Sequence, residues 1–450
     1  MKKILILGTT LISLFAGFNT KIAADELLDI TRKAGYDVKA YNRPKSSIII
    51  DAKTGDIVWQ DNIDEVRDPA SMSKLMTLYL VFEAIKEGEI SEDTVITATA
   101  NDQEISKIYE ISNNNIVAGV DYKVSELITM TAVPSSNVTT VMLANYLSNN
   151  DPDAFLDRMN KKAQELGMTN TKWFNASGAA AVSFKGLYTP QHYDIYSDNQ
   201  TTARDLAILS YNFVNHYPDI LKYTSKPVVT VKAGTPYEET FTTYNYSLPG
   251  AKYGMQGVDG LKTGSSPNGA FNYISTMQRG EQRFVEVIMG VGDWSDQDGE
   301  YYRHPFGNAL AEKAYADYEY KKIFDAGEQK IGEKRYKLDK PFYATVKKGT
   351  NPQAVVTNNN LHIENGLETV SPKISDSMTV TPVEETVIES AKGVVTKPTD
   401  IKTWQRLLFD HRLLILVPVV ILLIIFYLEK RNHIRRKEAR EKQQMNRRNN

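Results

Sequence analysis

The chain predicts an α+β fold. Three observations carry this reading: a strand rich in β-branched residues near the start, a mostly helical middle, and a return to alternating strands after about Lys226. Together they describe an antiparallel sheet built from both ends of one domain, flanked by helices and interrupted by a helical insertion. A small all-β domain and a C-terminal apolar span complete the chain.

The elements follow in order. Lys2 and Lys3 precede an apolar run from Ile4 to Phe18, and Ala23-Ala24 offers small residues for cleavage, so residues 1–24 read as a secretory signal. The main domain covers 25–324. Ser46 to Asp51 is a strand, and Lys53-Thr54-Gly55-Asp56 turns it into a second, Ile57 to Gln60. Asp68-Pro69-Ala70 leads into a helix from about Ser71, ended by Gly88. Further helices are expected at Val124–Ala132, Val138–Leu147, Pro152–Leu166 and Thr202–His216. Tyr237 to Tyr246 is a candidate hairpin arm. Strands Val258–Thr263, Phe271–Gln278 and Arg283–Val291 then alternate, with Arg279-Gly280-Glu281-Gln282 as a hairpin turn. A long helix is expected over Phe306–Phe324.

Residues 325–397 carry short strands such as Phe342–Val346 and Glu385–Ile388 and no catalytic cluster, so they read as a β domain acting as a spacer. After a linker over 398–412, Leu413 to Leu428 is uncharged and apolar on every side, which predicts a transmembrane helix at 413–428. The basic tail, 429–450, follows at once, so the positive-inside rule puts it in the cytoplasm and the body outside.

Composition removes several functions. The net charge of −2 conceals a tail with nine Lys/Arg against three Asp/Glu and an acidic body, which argues against nucleic acid as a partner. There is no cysteine, so disulfides and thiolate chemistry are excluded. The six histidines are scattered without metal-ligand spacing, and neither a metal nor a cofactor is expected.

Ser71-Met72-Ser73-Lys74 places an amine one helical turn after a hydroxyl, on the same face. A desolvated, neutral lysine can deprotonate such a serine and make it a nucleophile. Ser135-Ser136-Asn137 and Lys262-Thr263-Gly264 are candidate partners. Each motif is weak alone. Ser-x-Asn begins also at Ser112, Ser148, Ser210 and Ser266, and a second KTG at Lys53 sits in a turn, where glycine needs no further reason. The plain reading of Ser135-Ser136-Asn137 is an N-cap for the helix at Val138. At the end of the Val258 strand, Gly264 would let a substrate backbone approach closely.

In order and context, Asp68-Pro69-Ala70-Ser71-Met72-Ser73-Lys74, Ser135-Ser136-Asn137 and Val258-Asp259-Gly260-Leu261-Lys262-Thr263-Gly264 resemble the motif set of low-molecular-weight penicillin-binding proteins, above all serine-type D-alanyl-D-alanine carboxypeptidases of peptidase family S11. Trp173-Phe174-Asn175-Ala176-Ser177-Gly178 resembles that family too, and the long gap before Lys262 points to an insertion around Ala179 to Gln200. The resemblance implies a β-lactamase/transpeptidase-like fold. It implies Ser71 as nucleophile, Lys74 as general base, Ser135 as proton relay aided by the field of Lys262, and Asn137 on the substrate amide. Lys262 and Thr263 would help hold the terminal carboxylate, with Gly264 beside them in the substrate-binding strand, and the Ser71 and Ser265 amides would form the oxyanion hole. Many relatives carry histidine where this chain has Ser265. Arg303 is a candidate second contact to the carboxylate, a solvated surface arginine being the alternative. The implied substrate is a peptidoglycan pentapeptide ending in D-Ala-D-Ala, with β-lactams as covalent inhibitors. A serine β-lactamase shares SxxK and KTG, but its deacylating glutamate finds no place here. A β-lactam sensor would need a signalling domain, for which the tail is too short.

Overall fold

A computed structural model describes residues 26–383. The signal segment, the Glu385–Ile388 strand, the linker, the apolar span and the basic tail lie outside the described residues.

Five antiparallel strands form the central sheet in the order Ile57–Asp61, Ser46–Asp51, Gln282–Val291, Ala270–Arg279, Val258–Ser266. Both ends of the domain thus contribute, as the pattern predicts. Successive side chains on a strand face opposite ways, and here both faces are buried. Ile48, Ile50, Val285 and Val287 join the core beneath the helical block, whereas Ile49, Phe284 and Ile288 join a second core. That second core is closed by Leu27 and Leu28 of the Glu26–Lys33 helix and by Phe306 and Leu310.

Local signals set the helical block. Gly88 ends the Lys74–Glu87 helix at φ 77°, and Asp151 caps the Pro152–Leu166 helix by accepting from Ala154 N at 3.0 Å. Val124–Ala132, Asn137–Leu147 and Ala203–His216 fall within a residue of expectation. The Glu239–Thr242 strand pairs with Val228–Val231 as the expected hairpin.

Two expectations are corrected. The Val258 strand does not end at the KTG motif but runs on to Ser266, paired throughout with Ala270–Arg279. The helix placed at Phe306–Phe324 spans Gly299–Asp317, with Pro305 inside it. Proline removes one N–H, yet burial against the sheet continues on both sides of it and holds the helix together. Beyond Asp317, Tyr318–Phe324 is a strand, because pairing with Phe342–Lys347 overrides the helical pattern.

The following β domain consists of small antiparallel sheets around Tyr336, Leu338, Phe342, Val346 and Leu361. It docks on the first KTG. Thr54 and Thr345 hydroxyls meet at 2.8 Å, Val370 N donates to Gly55 O at 2.9 Å, and a Cβ at Gly55 would stand 2.5 Å from Ile374. That copy is joinery between domains.

Candidate active site

Ser71 lies in a 3-10 turn, Ala70–Ser73, that feeds the Lys74–Glu87 helix. The turn is strained and held from several sides. Ala70 has φ 49°, a conformation costly for a residue with a Cβ. Its N–H donates to Asp68 Oδ1 at 2.7 Å, while Ser266 Oγ donates to Asp68 Oδ2. Burial pushes the Asp68 carboxyl up to about 6. Gly178 backs directly onto the Ala70 carbonyl, with no room for a Cβ. Gly264 does the same from the sheet side: a Cβ there would lie 2.5 Å from Pro69 O and 3.0 Å from Ser71 N. The absent side chain therefore admits the protein's own backbone, not only a ligand's.

Lys74 is fully buried. Its Nζ lies 2.9 Å from Ser71 Oγ, 2.9 Å from Asn137 Oδ1 and 2.8 Å from Ser177 O. Burial, with a smaller push from Lys262, holds the amine well below its ordinary value. A neutral amine has two hydrogens and one lone pair. Asn137 Oδ1 and Ser177 O are acceptors only and take the two hydrogens, so the lone pair is left facing the Ser71 hydroxyl. This geometry makes a base.

Asn137 opens the Asn137–Leu147 helix, whose N-cap is Ser136. Its Nδ2 donates to Ser112 O at 2.8 Å, so both ends of the side chain are engaged within the protein. Ser135 sits just before, at φ 63°. Lys262 Nζ donates to Ser135 Oγ and to Thr263 O, both at 2.9 Å. Burial first, then Arg303, lowers Lys262 to about 7. Among the described residues the Thr263 hydroxyl has no hydrogen-bond partner.

Arg303 is buried, at 1% exposure, which overturns the solvated-surface alternative. Its Nη1 donates to Ser265 Oγ at 3.0 Å and to Asn272 O at 3.2 Å. Burial lowers it to about 10. No carboxylate pairs with it among the described residues. The neighbouring His304, also buried, is held well below its usual value by desolvation and by Arg303, so it stays neutral.

Residues beyond the motifs hold this arrangement. Asn199 Nδ2 donates to Ser73 Oγ at 2.9 Å and to Asn175 O at 3.0 Å. Asn175 Oδ1 accepts from Gly178 N at 2.6 Å, which fixes the Ser177 carbonyl against Lys74. Asn175 lies in a segment the sequence marks; Asn199 ends a further Ser-x-Asn, Ser197-Asp198-Asn199, within the stretch where an insertion is expected. Among the described residues no cluster of His, Asp or Glu could hold a metal ion.

The motif residues meet in one place, and residues 35–293 match the D-alanyl-D-alanine carboxypeptidase family. The chain belongs to that family. Residues 320–381 of this family member match a domain of unknown function. It is 26% identical over 258 residues to the D-alanyl-D-alanine carboxypeptidase DacF of Bacillus subtilis, covering 57% of this chain and 59% of that one. It is 27% identical over 304 residues to DacA of Haemophilus influenzae, covering 65% and 67%. The chain thus spans about three-fifths to two-thirds of these curated relatives. The fold is that of a peptidoglycan synthesis regulatory factor (PBP3) from Streptococcus pneumoniae, at a TM-score of 0.65 and 23% identity over 75% of this chain and 98% of that chain. Penicillin binding protein 5 of Haemophilus influenzae is also similar, with a TM-score of 0.60 and 21% identity over 78% and 99%.

Proposed function

We propose that this protein is a serine D,D-carboxypeptidase that removes the terminal D-alanine from peptidoglycan pentapeptides. The observation that carries the proposal is the buried, neutral Lys74 with its lone pair directed at Ser71. Ser71 Oγ attacks the carbonyl between the two D-alanines as its proton passes to Lys74. The tetrahedral oxygen is stabilised by the backbone N–H groups of Ser71 and Ser265, a contribution of about 3–4 kcal/mol per donor in comparable sites. Ser135, under the charge of Lys262, relays a proton to the leaving amine. One D-alanine departs and an ester remains on Ser71. Water then hydrolyses the ester and regenerates the hydroxyl.

The substrate peptide lies along the Val258–Ser266 strand, which is last in the sheet. Its carboxylate meets the free Thr263 hydroxyl, Lys262 and Arg303, a buried cation with no carboxylate in ion-pair contact among the described residues. Asn137 acts first as a positioning residue for Lys74 and takes the substrate amide only by exchanging one of its present partners. A β-lactam acylates Ser71 in the same way but keeps its leaving group attached, which blocks the water.

The location belongs to the same proposal. The signal at 1–24 exports the chain, the helix at 413–428 anchors it in the cell membrane, and the basic tail stays cytoplasmic, so the catalytic domain works on the outer face. The domain boundaries 25–324 and 325–397 make the second domain a spacer between site and membrane.

The test is release of D-alanine from a pentapeptide ending in D-Ala-D-Ala by the full-length chain. Loss of release and of penicillin labelling in Ser71→Ala is expected. Release that survives this change overturns the mechanism. Rapid penicillin turnover without D-alanine release would instead mark a β-lactamase.

A further inference from the structure

The two amides that receive the oxyanion in the proposed mechanism sit on separate elements, Ser71 on the 3-10 turn and Ser265 on the edge strand. Gly264 limits their separation from one side only. Its missing side chain lets the strand close until it touches Pro69 O and Ser71 N. That contact stops the two elements from closing further, but backbone dispersion resists their parting only weakly. What resists parting is Asp68.

Alternation along a strand puts Gly264 and Ser266 on one face, the face toward the turn. Asp68 meets both elements there. Its Oδ1 accepts from Ala70 N at 2.7 Å, one residue before Ser71. Its Oδ2 accepts from Ser266 Oγ, one residue after Ser265. One carboxylate thus spans the pair, with each oxygen tied one residue away from an oxyanion donor. Both anchors are themselves held. Ser266 Oγ accepts from Gly269 N at 2.8 Å, which leaves its hydrogen for Asp68. Asp68 O accepts from Asn272 Nδ2 at 3.1 Å, and Asn272 Oδ1 accepts from Gly290 N at 2.8 Å on the next strand. The tie is therefore fastened to the central sheet and not to a loose loop.

We propose that Asp68 is a positioning residue that sets the width of the oxyanion hole, through Ala70 beside the Ser71 amide and through Ser266 beside the Ser265 amide. This rests on the carboxypeptidase reading. Both amides bear fully on the substrate oxygen only when it becomes an oxyanion, so the tie acts on the chemical step more than on peptide binding.

The experiment uses the full-length chain and two rates, kcat for D-alanine release and penicillin acylation at Ser71. Ser266→Ala and Asp68→Ala should each lower both about 10- to 100-fold, and the double variant should be no slower than Asp68→Ala alone. Ser266→Thr and Asp68→Asn should restore the rates. The first returns the hydroxyl, and in the second an amide still accepts from Ala70 N while donating to Ser266 Oγ. In Ser71→Ala protein, adding Ser266→Ala should leave the pentapeptide dissociation constant unchanged. Ser266 closes its strand and is partly exposed, so its variants decide the matter even where Asp68→Ala does not fold. Wild-type rates in Ser266→Ala, or peptide binding weakened as much as kcat falls, would overturn the proposal. No D-alanine release by the wild type, with penicillin acylation still slowed by Ser266→Ala, would refute the carboxypeptidase reading and uphold the role of Asp68.

Discussion

Gly264 and Ser71 are packed backbone to backbone: a Cβ on the glycine would lie 3.0 Å from the serine nitrogen. The strand that carries the proposed oxyanion donor and the turn that carries the proposed nucleophile are thus set against each other by the absence of a side chain. Gly264→Ala should push them apart by a fraction of an ångström. We expect penicillin acylation at Ser71 to slow by about 100-fold, the usual result of misplacing reacting groups by this much, with the protein still folded. A normal acylation rate would show that the contact is slack.

Arg303 offers a separation of function from stability. A buried cation without a carboxylate in ion-pair contact costs the fold, and the proposed mechanism gives it a ligand to serve. Arg303→Met should leave the melting temperature unchanged or higher while lowering kcat/KM on D-Ala-D-Ala peptides about 10- to 100-fold. On a peptide with an amidated C-terminus, wild type and variant should be equally slow. An equal fall on the amide would assign Arg303 to packing.

In the proposed mechanism the two lysines set opposite limbs of the pH profile. Lys74 must be neutral, and burial makes it so well below the ordinary range of an amine. Lys262 must be charged, and it loses its proton near pH 7 in the free enzyme. Hence kcat/KM should fall on the alkaline side with a midpoint about 7. Lys262→Arg, which cannot deprotonate, should remove that limb; a profile unaltered by the change would assign the limb elsewhere.

Glu286 lies at the centre of the sheet, buried at 1% exposure, and desolvation pushes its carboxyl up to about 8. A Cβ at Gly307 would stand 2.6 Å from its Oε2. A carboxyl that holds its proton more tightly when folded lowers stability as the pH climbs from the unfolded value, about 4.5, towards 8. Glu286→Gln should match wild type near pH 4.5 and exceed it by up to about 3 kcal/mol at pH 7. Urea denaturation at the two pH values measures the difference, and a gap independent of pH would contradict the burial argument.

Much of this molecule is written locally. Strand Ser46–Asp51 and helices Val124–Ala132 and Pro152–Leu166 fall on the boundaries their patterns imply, because caps, glycines and β-branched runs act within a few residues. The catalytic motifs are legible for the same reason. Tyr318–Phe324 is not, since its strand exists only through pairing with Phe342–Lys347, and Pro305 hid the start of its helix. Nor is the role of Asn199, which reaches Ser73 across 126 residues of chain. The burial of Arg303 depends on a helix packing over a sheet, which spacing along a sequence does not report.

The Val258–Ser266 strand is the sheet's edge, and its protection is uneven. Thr224 Oγ1 donates to Asp259 O at 3.0 Å and Asn245 Nδ2 to Gly260 O at 3.3 Å, so side chains cap the start of the strand where a neighbouring strand would otherwise dock. No strand covers the stretch from Lys262 to Ser265 among the described residues. The proposed catalysis needs that stretch open, and an open strand edge is also a template for any extended chain, another copy of this protein included. Occupancy of the site then acts as colloidal protection: an acylated or peptide-bound population should resist self-association at concentrations where the empty enzyme begins to clump.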